Sequence, residues 1–470
     1  MKLRHVRRAL QGACLVTISL SAVWAQAQSQ DSDPQNLQQL KTRLQKLDQE
    51  MQELKAQIDT VEKAEKSQAV PPTATPSVPT GSTGTPGKET KPVEEKNNID
   101  LYGFIMLDTG YDFKTNDPDW FDVVRPTKLP SLSGEFAPDG KVYYGVRQSR
   151  FGVKTSTPTR LGNLKTQFEF ELFGTGVDAG QTTFRLRHAY GELGQFGAGQ
   201  TWTPFMDIDV FPNSVEYWGP NGMVLFRNLQ FRWMPIRNDR TQLTFAIERP
   251  GASADGGVYA DRIELQGIKP KFDMPDFSWN ARLIRNWGHV QFAGIFRKIS
   301  WVDLNRTPTR DLSGDAFGWG LNLTSSLKFS KKDTGKFEVI YGEGVQNYMN
   351  DAPVDIGVKN NLANPVTPIK GVPLPLLGVV SFLDHNWSDT FSTSIGYSML
   401  NIENSDAQKP SDFHQGHYAL TNLIYHPVPS VTIGSEFVLG RRINFRDGFN
   451  VNDYRIQFSF KYDWRKVFEF

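Results

Sequence analysis

The last residues of the chain, 454–470, alternate between apolar and polar side chains with a period of two. The apolar set comprises Tyr454, Ile456, Phe458, Phe460, Tyr462, Trp464, Phe468 and Phe470. A period of two is that of a β-strand. An exposed edge strand with so apolar a face would aggregate in water, whereas the outer wall of a closed transmembrane barrel requires such a face. The pattern therefore predicts a strand that faces lipid.

The composition agrees with a chain of many strands and turns. The 470 residues have a mean hydropathy of −0.44, and no apolar run approaches the ~18 residues that a membrane-spanning helix needs. The 40 glycines and the 12% of aromatic residues suit the tight turns and interfacial rings of a barrel. The single cysteine, Cys14, lies in a segment that we expect to be removed, so the mature protein should have no disulfide or thiolate metal site.

Residues 1–27 have the features of a secretory signal peptide. Four basic residues precede a moderately apolar stretch over residues 9–23, and small residues follow at Ala25 and Ala27. We expect cleavage after Ala27 or after Ala25. A lipoprotein signal that ends at Cys14 fits less well, because Gln11 stands where a large apolar residue is needed.

Residues 28–66 predict a coiled-coil helix. Apolar residues recur there at spacings of three and four, and they are Leu37, Leu40, Leu44, Leu47, Met51, Leu54, Ile58 and Val61. A seam of two positions in seven is too narrow for a globular core, so it requires another chain. We therefore expect an oligomer, and leucine at both core positions leaves two, three or four helices open. Residues 67–97, which are rich in proline, threonine, serine and glycine, predict a linker.

From residue 98 to residue 470 the sequence predicts a β-barrel of sixteen antiparallel strands. They are expected at 98–113, 142–156, 162–173, 182–194, 196–203, 223–234, 241–249, 276–286, 289–302, 315–329, 336–349, 376–386, 389–402, 414–426, 429–441 and 451–470. Long connections are expected at 114–141, 204–222, 250–275 and 350–375. Short turns that alternate with long loops are typical of outer-membrane barrels. An even number of strands places the first and the last residue of the barrel on the same side of the membrane. We place residues 261–272 in a loop to keep this parity, although they also have strand character.

Several predicted strands have one charged face. In strand 162–173, Phe168 and Phe170 face one way, and Glu169 and Glu171 face the other. A charge on the lipid face costs ~2–4 kcal/mol at the bilayer midplane, so the charged face must line the interior. The same alternation turns Arg185 and Arg187 inward, opposite Phe184, Leu186 and Tyr190, and it also turns Arg282 and Arg297 inward. Sixteen strands enclose more space than side chains can fill, so the barrel should hold water and conduct.

Four short motifs resemble segments of bacterial porins. Residues 149–154 (SRFGVK) resemble the second porin strand, residues 187–193 (RHAYGEL) resemble the fourth, and residues 226–228 (FRN) resemble the start of the sixth. Together with residues 200–213 (QTWTPFMDIDVFPN), the chain is similar to the DcaP-like porins, a family named for dicarboxylic-acid uptake. The aromatic Phe470 also resembles the carboxy-terminal insertion signal of outer-membrane barrels.

The resemblance implies a homotrimer in the bacterial outer membrane, with a periplasmic coiled coil and a preference for small anions. It also implies that the loop at 204–222 folds into the barrel and narrows it. Arginines on the wall and carboxylates on the loop are then the expected constriction residues. The wall candidates are Arg150, Arg185, Arg187, Arg227, Arg232, Arg282 and Arg297, and the loop candidates are Asp207, Asp209 and Glu216. Opposed charges across a narrow pore would set up a transverse field that selects among solutes.

Two points about these arginines stay open. Simple alternation turns Arg227 outward with Leu225 and Leu229, so its match requires a bulge, and Arg232 is the alternative. Each arginine could instead pair with lipopolysaccharide at the rim or with a nearby glutamate. The chain has 52 basic and 51 acidic residues, so any anion preference must come from local placement.

Other functions are less well supported. His414 and His417 have the spacing of a metal pair but lack a third ligand nearby in the sequence, so we expect no metal and no cofactor. No zinc-protease helix, phosphate loop or nucleophile elbow is present. An outer-membrane barrel enzyme is therefore the weakest alternative, and a structural barrel tethered to the cell wall by its coiled coil is the stronger one.

Overall fold

The computed structural model describes residues 97–260 and 267–470. The predicted signal peptide, coiled coil and linker lie outside the described residues. The strands are β1 (Asn98–Asp112), β2 (Lys141–Gly145), β3 (Arg150–Thr159), β4 (Gly162–Phe173), β5 (Thr182–Leu193), β6 (Phe196–Trp202), β7 (Arg227–Arg237), β8 (Thr241–Glu248), β9 (Ile268–Lys271), β10 (Asp276–Arg285), β11 (Gly288–Asp303), β12 (Gly314–Lys328), β13 (Asp333–Glu343), β14 (Ile356–Asn360), β15 (Ile369–Pro373), β16 (Pro375–Asn386), β17 (Phe391–Ile402), β18 (Phe413–Val428), β19 (Val431–Asn444) and β20 (Asn450–Glu469).

In residues 97–260 and 267–470, the helices are single 3-10 turns in the connections between strands. They span Pro118–Trp120, Pro126–Lys128, Gly176–Asp178, Ile208–Val210, Gly257–Tyr259 and Gln346–Tyr348. None of the helices in residues 97–260 and 267–470 is long and apolar enough to cross a membrane.

Sixteen of the strands form one closed antiparallel barrel, as predicted. The ring runs through β1, β3–β8, β10–β13 and β16–β20. It closes where β1 pairs with β20 along its whole length, from Asn98 opposite Glu469 to Asp112 opposite Arg455. The start of β1, the end of β20 and the short turns therefore lie together at one rim of the barrel, called the short-turn rim. The long connections lie at the opposite rim, called the long-loop rim.

The remaining four strands correct the predicted boundaries. The predicted strand 142–156 is interrupted after Gly145, and β2 and β3 pair with successive parts of β1. The interruption accommodates Arg147, whose buried guanidinium donates to the Asp122 carboxylate (2.5 Å) and to the Gly174 carbonyl (2.9 Å). Residues 261–272 are not all loop, because β9 pairs with the end of β11 and prolongs β10. Strands β14 and β15 form a separate hairpin inside the predicted loop 350–375.

The two faces of each barrel strand differ in polarity. On β20, Phe458 and Phe460 are exposed on the outside, whereas Arg455, Gln457 and Ser459 are buried on the inside. The other barrel strands repeat this arrangement, so an apolar belt surrounds a polar interior. Such a belt is the surface that lipid covers around a transmembrane barrel.

Strand β5 contains a bulge that reverses one predicted orientation. The register with β4 shifts between Glu169, which pairs with His188, and Phe170, which pairs with Leu186. A bulge adds one residue and restarts the alternation. Tyr190, which was expected on the outward face, therefore points inward, where the Arg232 guanidinium lies 5.4 Å from its ring centroid.

Candidate functional site

The connection between β6 and β7, residues 203–226, folds into the barrel and is called the inner loop below. Its first turn is anchored by Asp207, which lies buried against the wall. The Asp207 carboxylate contacts His289 Nε2 (2.6 Å), Arg282 Nη1 (3.2 Å) and the Thr324 hydroxyl (2.8 Å). These three partners come from β11, β10 and β12, so one end of the inner loop is fixed to that part of the wall.

The other part of the inner loop is anchored by a carboxylate of β19. Glu436 accepts hydrogen bonds from the Ser214 hydroxyl (2.9 Å), the Val215 amide (3.1 Å) and the Glu216 amide (3.2 Å). Glu338 of β13 similarly accepts from the Val224 amide (2.9 Å). The inner loop therefore crosses the lumen from one wall to another, and wall carboxylates accept hydrogen bonds from several of its backbone amides.

Glu216 lies at the crossing itself and is buried. Its carboxylate accepts from the Val124 amide (3.1 Å) and the Gly219 amide (2.5 Å), and Tyr418 donates to it (3.3 Å). Burial raises the pKa of Glu216 to about 7, despite the opposing effect of these backbone hydrogen bonds. Glu216 thus belongs to the packing of the loop rather than to its wet surface.

Four arginines surround two glutamates on the opposite part of the wall, and we call these six residues the arginine cluster. Arg187 of β5 makes the shortest contacts, 2.6 Å to Glu169 and 2.6 Å to Glu171. Arg150 lies 3.4 Å from Glu171, and Arg185 and Arg227 each lie 3.7 Å from it. The four positive charges exceed the two negative charges of the glutamates, so the arginine cluster has a local positive excess.

Aromatic side chains hold the arginine cluster in place. Tyr102 donates to Glu169 (2.7 Å), and Tyr217 of the inner loop donates to Glu171. The Trp202 ring lies under two guanidinium groups, at 4.6 Å for Arg227 and 5.5 Å for Arg187. These hydrogen bonds and cation–π contacts reduce the freedom of the charged groups.

Arg227 points into the lumen, and the predicted bulge is not required. The register between β6 and β7 is continuous, with Trp202 opposite Arg227. Farther along β7, Leu229 and Phe231 are exposed on the outside as alternation demands. Arg227 is the first residue of β7, where the ladder ends, and there both Arg227 and Trp202 turn toward the interior. Arg232 faces the interior as well and donates to the Trp202 carbonyl (2.5 Å).

The structure places the other candidates away from the arginine cluster. Arg282 pairs with Asp207 and Asp209 and so fixes the start of the inner loop. Arg297 is fully buried between Asp276 (2.9 Å) and Asp355 (2.8 Å). Arg232 lines a second cavity of about 230 Å³, whose lining also includes Asp207 of the inner loop.

The three loop carboxylates do not contact the four arginines of the cluster. Asp207 and Glu216 are buried in loop anchors, and the half-exposed Asp209 pairs with Arg282. The carboxylates beside the arginines are Glu169 and Glu171 of β4. Alternation alone had placed both glutamates inside the barrel, but which arginines they meet depends on pairing between strands.

The donor atoms of Asp207, Asp209 and His289 lie within 4.8 Å of one another, which is close enough for a metal site. The Arg282 guanidinium, however, contacts both carboxylates. A cation already neutralises this group, so its geometry is that of an ion-pair anchor for the inner loop.

The arginine cluster lines a cavity of about 790 Å³ between the wall and the inner loop. Its other walls include Phe104 and Lys461, with the Lys461 ammonium 4.6 Å from the Phe104 ring centroid. The cavity thus combines fixed positive charge with a small amount of apolar surface. Its charge suits a small anion, and it is far larger than a single water site needs.

A closed sixteen-stranded barrel with an apolar belt, a polar interior and an inward-folded loop defines a channel of the outer-membrane porin class. Comparison with known families identifies the family within this class. The chain belongs to the DcaP family, because the family model described as DcaP outer membrane protein matches residues 27–464. The family and the fold place the protein in the bacterial outer membrane.

Solved structures share this fold. The outer membrane channel DcaP of Acinetobacter baumannii is similar with a TM-score of 0.65 and 20% identity, covering 79% of this chain and 99% of that one. An anion-selective porin from Comamonas acidovorans is similar with a TM-score of 0.50 and 10% identity, covering 78% of this chain and 100% of that one. No curated protein sequence matched the chain.

Proposed function

We propose that this protein lets small hydrophilic solutes diffuse across the outer membrane and favours anionic carboxylates, including dicarboxylates. The observation that carries the proposal is the arginine cluster, in which four arginines surround two glutamates beside the inner loop. The resemblance of the chain to a family named for dicarboxylic-acid uptake supports it. So does the likeness of its fold to that of a porin described as anion-selective.

The chemistry of the cluster explains how it would select. Guanidinium groups stay protonated at all physiological pH values and can hold a carboxylate through two parallel hydrogen bonds. Glu169 and Glu171 already neutralise part of the charge, so an entering anion is attracted without being trapped. Weak binding at neighbouring arginines is what conduction requires. Arg150 and Arg185 are partly exposed, at 24% and 30% of their side chains, and are the ones that a solute can reach.

Removing one reachable arginine tests the proposal. A unit charge about 4 Å away is worth about 1 kcal/mol in water, so Arg185→Ala should lower the anion-to-cation permeability ratio by up to about fivefold. Arg150→Ala should act in the same direction. The measurement is the reversal potential of the protein in a planar lipid bilayer under a salt gradient, followed by competition with added succinate.

The matched control removes a cation outside the cavity. Lys114 lies on the exposed connection after β1 and pairs with Asp139 (2.8 Å). Lys114→Ala should leave the reversal potential near the wild-type value. Equal selectivity in Arg185→Ala, Arg150→Ala and wild type would show that the arginine cluster does not select ions.

We also propose that the mature protein is a homotrimer with a periplasmic coiled coil, exported by its signal peptide. The regular apolar seam of residues 37–61 supports oligomerisation, since such a seam needs partner helices. Tethering of the barrel to the cell wall by this segment would be an added structural role. The family and fold support a channel rather than an enzyme.

A further inference from the structure

The outward face of β19 carries an arginine among apolar residues near the long-loop rim. Phe437 and Leu439 face outward in the belt, Arg441 is the next outward residue toward the long-loop rim, and Ile443 follows it. Its neighbour Arg442 faces the interior and donates to backbone carbonyls there. Arg441 therefore lies on the lipid side of the wall, near the long-loop rim of the barrel.

The neighbours of Arg441 are polar groups that carry no negative charge. His417 of β18 and Asn452 of β20 are its register partners on either side. Arg441 Nη2 donates to Asn450 Oδ1 (3.2 Å), whereas the buried Arg441 Nε has no hydrogen-bond partner in the described part of the chain. The His417 ring stacks on Tyr397 with 5.9 Å between centroids, and the two side chains are hydrogen-bonded (2.5 Å).

Arg441 lacks the carboxylate that a comparable cation has. Among residues 97–260 and 267–470, no Asp or Glu oxygen lies within 4.0 Å of its guanidinium nitrogens. Lys298 of β11 also faces outward near the long-loop rim, and it pairs with Asp273 at 3.4 Å, a carboxylate that it shares with Lys271. A charged guanidinium beside the apolar belt, with one buried N–H donor that has no acceptor, costs free energy. An anionic group from the membrane would supply both the opposite charge and the acceptor.

We propose that Arg441, His417 and Asn450 form a binding site for a phosphate group of lipid A in the outer leaflet. Long loops of outer-membrane barrels face the cell exterior, which places this rim in the leaflet that contains lipid A. The guanidinium can hold a phosphate through two hydrogen bonds. Phe437 and Leu439 directly below would contact the acyl chains. The site lies outside the barrel, so it does not depend on the ion preference of the lumen.

Native mass spectrometry of the full-length protein in detergent, titrated with purified bis-phosphorylated lipid A, tests the site. A basic residue near a membrane surface contributes about fivefold to the binding of an anionic lipid, so Arg441→Ala should weaken lipid A binding by about that factor. Lys298→Ala is the matched control and should bind lipid A as the wild type does. Lipid A without its phosphates should not distinguish Arg441→Ala from the wild type.

Three results would overturn the proposal. One is equal lipid A affinity in the wild type and Arg441→Ala. A second is Arg441-dependent binding of inorganic phosphate with no such dependence for lipid A, because it would assign the site to a soluble anion. A third is dissociation of the oligomer in Arg441→Ala with unchanged lipid binding, because it would make Arg441 a contact between subunits.

A second variant keeps the test valid if Arg441→Ala does not fold. Arg441→Lys keeps the charge but loses the paired hydrogen-bond geometry, so its lipid A affinity should lie between those of Arg441→Gln and the wild type. The shift in electrophoretic mobility on heating, which reports a folded barrel, should be that of the wild type. Affinity for lipid A no higher in Arg441→Lys than in a charge-free Arg441→Gln protein would also overturn the proposal.

Discussion

At the scale of single residues, the interior holds charges in two different ways. Arg187 is nearly buried between two glutamates, at 8% exposure of its side chain, so its charge is matched within the wall. Arg185 is more exposed and lies farther from its glutamate. Removing one partner of a buried ion pair leaves an unpaired buried charge, which costs several kcal/mol of stability. Removing an exposed arginine changes mainly the electrostatic field in the lumen. Arg185 is therefore the better probe of selectivity and Arg187 the better probe of folding.

Glu216 should make the stability of the protein depend on pH. Its pKa is raised from 4.5 in the unfolded chain to about 7 in the folded one. Between these values the unfolded chain releases its proton while the folded protein keeps it, so stability is highest below the unfolded pKa and falls as the pH rises toward the folded pKa. The full loss is roughly 3 kcal/mol. Glu216→Gln cannot ionise and should remove this contribution.

Urea unfolding of the protein in lipid vesicles, at about pH 5 and about pH 8, measures the effect. The wild type should lose more stability between the two pH values than Glu216→Gln does. Asp209→Asn is the control, because Asp209 lies on the same inner loop but is half exposed. An identical pH dependence in wild type and Glu216→Gln would mean that Glu216 is ionised in the folded protein throughout this range.

At the scale of elements, the strands were predictable and the contacts between them were not. The two-residue period of residues 454–470 identified β20 and its lipid face, because burial on one side of a barrel wall imposes that period directly. The inward position of Tyr190 depends on a bulge opposite Glu169. The alternation of residues along β5 does not predict this bulge. The Glu436 contact with Ser214 joins residues far apart in sequence, so only the closed barrel brings them together.

The inner loop should loosen when its anchor on β19 is removed. Glu436→Ala would leave the Val215 amide without its acceptor and the Glu216 amide with only the Ser214 hydroxyl, and a buried donor without a partner costs about 1–3 kcal/mol. The loop should then move within the lumen, so single-channel recordings should show larger current fluctuations than the wild type. Ser435→Ala, on the outward face of the same strand, should record as the wild type does. Steady wild-type current in Glu436→Ala would show that the other anchors are sufficient.

At the scale of the whole molecule, the balance of charge is nearly even, with 52 basic and 51 acidic residues. Net charge therefore cannot produce an ion preference, and what matters is where the charges lie. The arginine cluster concentrates positive charge on one part of the wall. Asp207 and Glu216 are instead buried in the contacts that anchor the inner loop. Sequence composition could not reveal this separation, because it arises from the closure of the barrel.

Deleting residues 28–96 separates the pore from its predicted coiled coil. The barrel closes on itself through β1 and β20 without that segment, so each pore should keep its wild-type conductance and ion preference. Oligomers should dissociate at lower temperature, because the seam of residues 37–61 would no longer join the chains. Bilayer recordings measure the first effect, and native mass spectrometry during heating measures the second. Unchanged oligomer stability together with release of the barrel from purified cell wall would instead assign the segment to tethering, and altered conductance would show that the segment reaches the pore.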